Sequence, residues 1–405
     1  MKITDIRARE ILDSRGIPTV EVDLISGQHI GRASVPSGAS TGRFEAVELR
    51  DRDTKRYNGR GVKIALDNIR NILKPALLGM SLFDQNHIDV TMKNIDGTKN
   101  KSQLGANAIL AVSLAVARCA SVCLNIPLFR YLGGIYPKTI PSLFINVING
   151  GAHADNTVSV QEFMIVPHAP FPESLRIGAE IFYRLRKCLM EQNYNTNVGD
   201  EGGFAPSFSS TAEALDILVH AIERAGYIPG KDVSLALDVA ASEFFENNVY
   251  TYENRQLTSE DMIKTYEKLI EDYPIISIED PLDEEDWEGF ASLTKRIGKK
   301  IKIVGDDLFV TQSKRLLKGI DTQTANSILI KPNQVGTLTE TLETIQLAQK
   351  NGYDVIVSHR SGETEDTFIA DLAVAVQAHG IKTGSLSRTD RLAKYNQLSR
   401  IYEML

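Results

Sequence analysis

Ionisable residues end one apolar run after another in the second half of this chain. The runs 235–237 and 275–278 lead into Asp238 and Glu279, 301–304 leads through Gly305 into Asp306, and 328–330 leads into Lys331. Residues 355–357 precede Ser358-His359-Arg360, and Lys382 follows Ile381. Three carboxylates brought to one place repel each other unless a cation joins them. Hard oxygen donors without cysteine or histidine beside them suit Mg2+ rather than zinc. A lysine has no packing reason to end a buried run, because an unpaired buried ammonium is costly. Held near a second cation, Lys382, and a divalent ion, Lys331 is expected to have a lowered pKa and to serve as a general base.

Other stretches offer complementary chemistry. Ser358-His359-Arg360-Ser361-Gly362-Glu363-Thr364 joins an apolar run to a helical pattern. Arg360 supplies a planar two-pronged donor, and Ser361 and Gly362 are expected to leave backbone N–H groups open near a helix start, which suits a phosphate. Asn197-Val-Gly-Asp-Glu-Gly-Gly-Phe sets Asp200 and Glu201 among three glycines, where the backbone can approach a ligand closely. A carboxyl group held protonated there would be an acid catalyst; a solvated turn accounts for the composition equally well. His153, Gln161 and Glu162 flank two expected strands, as hydrogen-bonding partners of a hydroxylated substrate or as structural groups. The small-residue loop Pro36-Ser-Gly-Ala-Ser-Thr-Gly has the composition of a lid, with Ser40 able to reach a metal.

The elements that must position these groups follow from spacing. Asp238, Glu279, Asp306, Lys331, His359 and Lys382 are separated by 41, 27, 25, 28 and 23 residues. Each step is about one strand–helix unit of a parallel barrel, which takes roughly 250 residues over eight units and carries its chemistry at the carboxyl ends of its strands. Expected strands at 143–147 and 162–166, with the loop 149–155 between them, and helical patterns at 172–191 and 211–224 precede that series. Further helices are expected near 259–273, 285–297, 338–351, 365–379 and 391–404. Residues 1–35 alternate as strands, while 60–78 and 103–132 carry helical spacing broken by Pro75 and Pro127. The chain therefore reads as α/β, with an N-terminal α+β capping domain over 1–133. A C-terminal eight-stranded β/α (TIM-like) barrel of ββαα(βα)6 order over 134–405 would carry the site.

Bulk properties narrow the field. With 42% hydrophobic and 24% charged residues and a net charge of −7, a nucleic-acid or membrane-surface partner is not expected. Cys119, Cys123 and Cys188 form neither a zinc pattern nor a paired framework, which fits a reducing compartment. The opening Met-Lys-Ile-Thr-Asp shows no signal-peptide core, and the apolar stretch 104–124, interrupted by Asn107 and Arg118, reads as a helix buried in a domain. A cytosolic protein is expected.

Seven motifs carry a resemblance: Ser-Gly-Ala-Ser-Thr-Gly at 37–42, Gln-Glu-Phe-Met-Ile at 161–165, Gly-Asp-Glu-Gly-Gly at 199–203, Ser-Ile-Glu-Asp-Pro at 277–281, Gly-Asp-Asp-Leu at 305–308, Ser-His-Arg-Ser-Gly-Glu-Thr at 358–364 and Leu-Ala-Lys-Tyr-Asn-Gln-Leu at 392–398. Along essentially its whole length the chain resembles the enolase family. The resemblance implies Mg2+-dependent interconversion of 2-phosphoglycerate and phosphoenolpyruvate, a glycolytic dehydration. It implies Lys331 as the base at C2 and Glu201 as the acid at the C3 hydroxyl. It makes Asp238, Glu279 and Asp306 ligands of a first Mg2+, and Ser40 a ligand of a second that enters with substrate. It assigns Arg360 and Ser361 to the phosphate and Lys382 to the carboxylate, with His153, Gln161, Glu162 and His359 completing the pocket. A homodimer is implied, with Glu21 and Arg400 at its contact. Ile17 and Pro332 depart from the family pattern, and Pro332 restricts Lys331 to an extended backbone. Another proton-abstracting member of the superfamily would lack the motifs at 199–203 and 358–362, and a binding protein on an inactive scaffold would lack the base, acid or ligands; all are present.

Overall fold

The computed structural model describes residues 1–405 except Ser40, Thr41 and Asp155. The alternation at the start becomes an antiparallel sheet of β1 (Asp5–Leu12), β2 (Pro18–Ser26) and β3 (His29–Ser34) in that order. Helices α1 (Lys63–Asn68), α2 (Lys74–Leu77), α3 (Gln85–Asp96), α4 (Ala106–Leu124) and α5 (Leu128–Gly133) follow. Pro75 does not break its helix as expected. A π-helical stretch, Ile69–Leu73, runs straight into α2, and its wider turn relieves the clash and the missing N–H that proline brings to a regular helix. Among the described residues α4 is the helix long and apolar enough to cross a membrane, but 78% of it is buried. It packs against β2 and β3 and, through the other elements it touches, against the barrel.

The barrel opens with β4 (Ser142–Asn149), β5 (Glu162–Pro167), α6 (Glu173–Glu191) and α7 (Thr211–Arg224). Then comes β6 (Val233–Asp238), followed by a small antiparallel sheet of β7 (Phe245–Glu246), β8 (Val249–Tyr252) and β9 (Arg255–Leu257) that the pattern did not reveal. Strand–helix units continue with α8 (Ser259–Asp272), β10 (Ile275–Glu279), α9 (Trp287–Ile297), β11 (Lys302–Gly305), α10 (Ser313–Asp321), β12 (Ser327–Ile330), the single turn α11 (Pro332–Val335), α12 (Leu338–Lys350), β13 (Asp354–Ser358), α13 (Phe368–Ala375), β14 (Gly380–Lys382) and α14 (Thr389–Tyr402). The helix α10 escaped the sequence pattern because it is only nine residues long, so its apolar face repeats for little more than one turn.

The strands close in the order β10-β11-β12-β13-β14-β4-β5-β6. The barrel is not wholly parallel: β5 pairs antiparallel with both β4 and β6. Only a loop joins β4 to β5, and a parallel return requires a longer crossover, usually a helix. Its interior is filled by Phe144, Met164, Val166, Ala236, Val304, Leu329 and Ile356, a cluster separate from the larger one that packs strands against helices.

Candidate active site

That apolar layer is the floor of the site. Side chains two residues apart share a strand face, so two positions beyond Ala236, Val304, Leu329 and Ile356 stand Asp238, Asp306, Lys331 and Ser358 at the barrel mouth. Because β5 runs the other way, its first residue rather than its last faces that mouth, and Glu162 lies two before Met164. Glu162 and Glu279 both pair in register with Asp238. Glu162, Glu201, Asp238, Lys331, Arg360 and Lys382 line one small, nearly filled pocket, together with His153, Gln161, His359 and Ser361.

The three expected metal ligands meet here, but lysines occupy part of their coordination. Lys382 Nζ donates to Glu279 Oε1 at 2.9 Å and to Asp238 Oδ2 at 3.0 Å, and lies 3.2 Å from Glu162 Oε2. Asp306 instead accepts from Lys331 Nζ. Burial raises the Glu279 carboxyl well above its usual range, and Asp238, Asp306 and Glu162 add to that against the pull of Lys382. The acids of this pocket thus outweigh the cations beside them, and hard oxygen donors under mutual repulsion fit a divalent cation such as Mg2+. Close to Asp306, carboxylate oxygens of Asp280 and Asp307 lie within 4.8 Å of it and of each other.

The expectation for Lys331 is corrected. Burial works to lower its pKa, and Arg360 and Lys382 add to that, but the Asp306 carboxylate more than compensates and the net direction is up. Its backbone is extended, as Pro332 requires, with φ −125° and ψ 105°. Pro332 itself starts α11, where its missing N–H costs nothing.

Across the mouth stand two glutamates. In Glu201, 1% exposed, Oε2 accepts from Asn146 Nδ2 at 2.7 Å, and Oε1 lies 3.3 Å from His153 Nδ1 and 3.5 Å from His359 Nε2. Burial raises the Glu162 carboxyl well above its usual range, and the neighbouring Glu201 adds to the effect. For Glu201 burial pushes the same way, but the imidazoles of His153 and His359 that face it as hydrogen-bond donors oppose burial, and the net direction is well below its range. These opposite directions favour Glu162 rather than Glu201 as the carboxyl that holds a proton shared by the two. Gly202 makes the loop possible: at φ +84°, with Ser387 O 2.7 Å from where a Cβ would stand, no other residue fits without strain.

The anion loop also differs from expectation. The helix after it starts only at Phe368, and the Gly362 N–H is not open but donates to Ser37 O at 2.8 Å, with Ser37 N–H returning the bond to Gly362 O at 2.8 Å. Ser361 Oγ accepts from Ala39 N–H at 2.8 Å. These bonds tie the loop before Ser40 to the barrel, while Ser40 itself lies outside the described residues. Arg360 donates to Glu45 Oε2 at 2.8 Å and to Asn333 Oδ1 at 3.2 Å. Gln161 Nε2 donates to Asp238 Oδ2 at 3.3 Å, so it orients a carboxylate and leaves its own Oε1, buried, without a partner among the described residues.

Residues 137–405 match the family described as enolase, C-terminal TIM barrel domain, and residues 3–132 match enolase, N-terminal domain. The chain belongs to the enolase family. The match spans both parts of this enolase-family chain and accords with an N-terminal domain on a closed eight-stranded barrel.

Three supporting residues were given no role by the sequence reading. Asp280 accepts the N–H groups of Asp306 and Asp307 at 2.9 and 2.7 Å and so sets the turn that delivers Asp306. Gln334 Nε2 donates to Asp306 Oδ1 at 2.9 Å, held in turn by the Thr311 hydroxyl. Glu45 accepts from Arg360 and, at Oε1, from the Gly42 N–H at 3.1 Å. Asp280 and Gln334 sit one and three residues from Glu279 and Lys331, a proximity that was their signal; Glu45, from the other domain, gave none.

Proposed function

We propose that this enolase-family protein catalyses the reversible dehydration of 2-phosphoglycerate to phosphoenolpyruvate. The observation that carries the reading is opposition: β12, which delivers Lys331, and β5, which delivers Glu162, lie four strands apart in a ring of eight. A substrate between them meets a base on one face and an acid on the other. Lys331 takes the C2 proton as its free amine. The electron pair then forms the C2–C3 double bond, the C3–O bond breaks, and the departing hydroxyl takes a proton from the Glu162–Glu201 pair to leave as water. To act, Lys331 must first release the proton that Asp306 holds on it, so productive binding must loosen that contact. Arg360 and Ser361 receive the phosphate in place of Glu45 and the Ala39 N–H, and Lys382 turns from Asp238 and Glu279 to the substrate carboxylate. Asp238, Glu279 and Asp306 would hold one Mg2+ and Ser40 would help hold a second, and such ions would supply fixed positive charge for the charge that develops on the substrate carboxylate. The family likeness also supports assembly as a homodimer.

The test is ultraviolet absorbance of the conjugated product with 2-phosphoglycerate, with and without Mg2+. Turnover that requires Mg2+ is expected, and Lys331→Ala should lower kcat by roughly 10²- to 10⁴-fold, the usual worth of a positioned base. Mg2+ binding by calorimetry should persist in that variant. Absence of turnover by the Mg2+-loaded wild type, or near-normal kcat in Lys331→Ala, would refute the reading.

A further inference from the structure

Arg391, in the first turn of α14, is fully buried. Its Nη1 hydrogen-bonds His359 Nδ1 and donates to Arg360 O at 2.6 Å. Its Nη2 donates to Ser361 O at 2.5 Å and to Asp200 O at 3.2 Å, and its Nε lies 2.7 Å from Asp390 Oδ2. One guanidinium thus joins the loop that carries the anion-binding residues to the loop that carries Glu201. Space for it is left by Gly384, where a Cβ would stand 2.7 Å from Arg391 Cδ and 2.9 Å from Glu201 O.

The contact with His359 decides a proton's position. A guanidinium has donors and no acceptor, so the ring nitrogen it faces must present a lone pair. The proton of the neutral ring then sits on Nε2, and Nε2 is the atom 3.5 Å from Glu201 Oε1, buried and otherwise without a partner among the described residues. We propose that Arg391 is a positioning residue that locks His359 in the Nε2–H tautomer and so aims a hydrogen-bond donor at Glu201. Burial keeps the ring neutral by driving its pKa well below the usual range; Arg391, Lys382 and Lys331 reinforce this against the opposing pull of Glu201. The donor stabilises the Glu201 carboxylate as the pair gives its proton to the leaving hydroxyl. With the other tautomer a lone pair would face that carboxylate and repel it. The role rests on the reading of Glu201 as part of the acid pair.

Long-range 1H–15N correlation spectra of histidine-labelled full-length protein test it, with the His359 signal assigned by its loss in His359→Phe. The wild type should show His359 protonated at Nε2 and bare at Nδ1, unchanged across neutral pH. Arg391→Met should release the ring to a tautomer mixture and lower kcat by about 10- to 100-fold, the order of loss when the partner that orients a metal-bound imidazole is removed. Arg391→Lys, which keeps a cationic donor, should restore the Nε2–H signature and part of kcat. A wild-type His359 protonated at Nδ1, or an unchanged His359 signal in folded Arg391→Met, overturns the proposal. The wild-type spectrum decides it even if Arg391→Met does not fold. Lack of turnover with 2-phosphoglycerate would count against the proposed reaction instead, since the spectrum is recorded without substrate.

Discussion

Replacing Lys382 by methionine keeps the aliphatic stem and removes the ammonium that stands 2.9, 3.0 and 3.2 Å from Glu279, Asp238 and Glu162. The residue is 2% exposed, so water cannot substitute for the lost charge. Removing one partner of a buried ion pair costs about 3–5 kcal/mol, because the remaining charge is left without compensation. With an unfolding entropy of about 2.1 cal/mol/K per residue, that loss lowers Tm by roughly 4–6 °C for a chain of 405 residues. The sign of the pH dependence follows from Glu162 and Glu279, whose carboxyl pKa values are raised in the fold. Such groups bind protons more tightly folded than unfolded, so their penalty is absent at low pH and grows as pH rises through the folded pKa. Lys382→Met should therefore lose most stability in mildly alkaline buffer and less in mildly acidic buffer. Scanning calorimetry in chelator at both conditions, then with excess Mg2+, reads this directly. A cation at 100 times its Kd stabilises by about 2.7 kcal/mol, and the variant should gain more Tm from it than the wild type, since the ion replaces a missing positive charge. An unchanged Tm in chelator at alkaline pH would sink the reasoning, as would a loss independent of pH.

Two further outcomes follow from buried positions. Asp371, which accepts from Phe129 N–H and Gln397 Nε2, has its carboxyl pushed up to about 6 from 3.8, chiefly by burial and against the pull of Arg118. Its penalty is absent below the unfolded pKa and complete above the folded one, at most about 3 kcal/mol. Asp371→Asn should thus raise Tm at neutral pH and match the wild type in acid; equal Tm at neutral pH would refute the assignment. Leu329 is fully buried in the barrel interior two residues before Lys331. Leu329→Ala should cost about 2–5 kcal/mol, seen as a lower urea midpoint, and a change under 1 kcal/mol would show that the floor layer is not packed as described.

Much of the architecture was legible in advance because its cause is local. Apolar runs ending in ionisable residues at barrel spacing became β6, β10, β11, β12, β13 and β14, with Asp238, Asp306 and Lys331 at the strand ends as expected. What required three dimensions was mostly polarity and direction. The loop expected between the first two barrel strands leaves β5 no parallel return, but only the closed barrel shows that this reversal sets Glu162 at the mouth in register with Asp238. Gly362 looked open in sequence, but its N–H is taken by Ser37, more than three hundred positions away.

Charge states divide along the same line. Residue types and spacing by themselves determined which groups share the pocket: acids on β6 and β10 and after β11, lysines after β12 and on β14, an arginine after β13. Which acid holds a proton, which lysine pairs with which carboxylate, and which nitrogen of His359 is bare were decided only by the tertiary structure. Electrostatic energy depends on separation and burial through space, and both are set by side chains that meet from segments far apart in the chain.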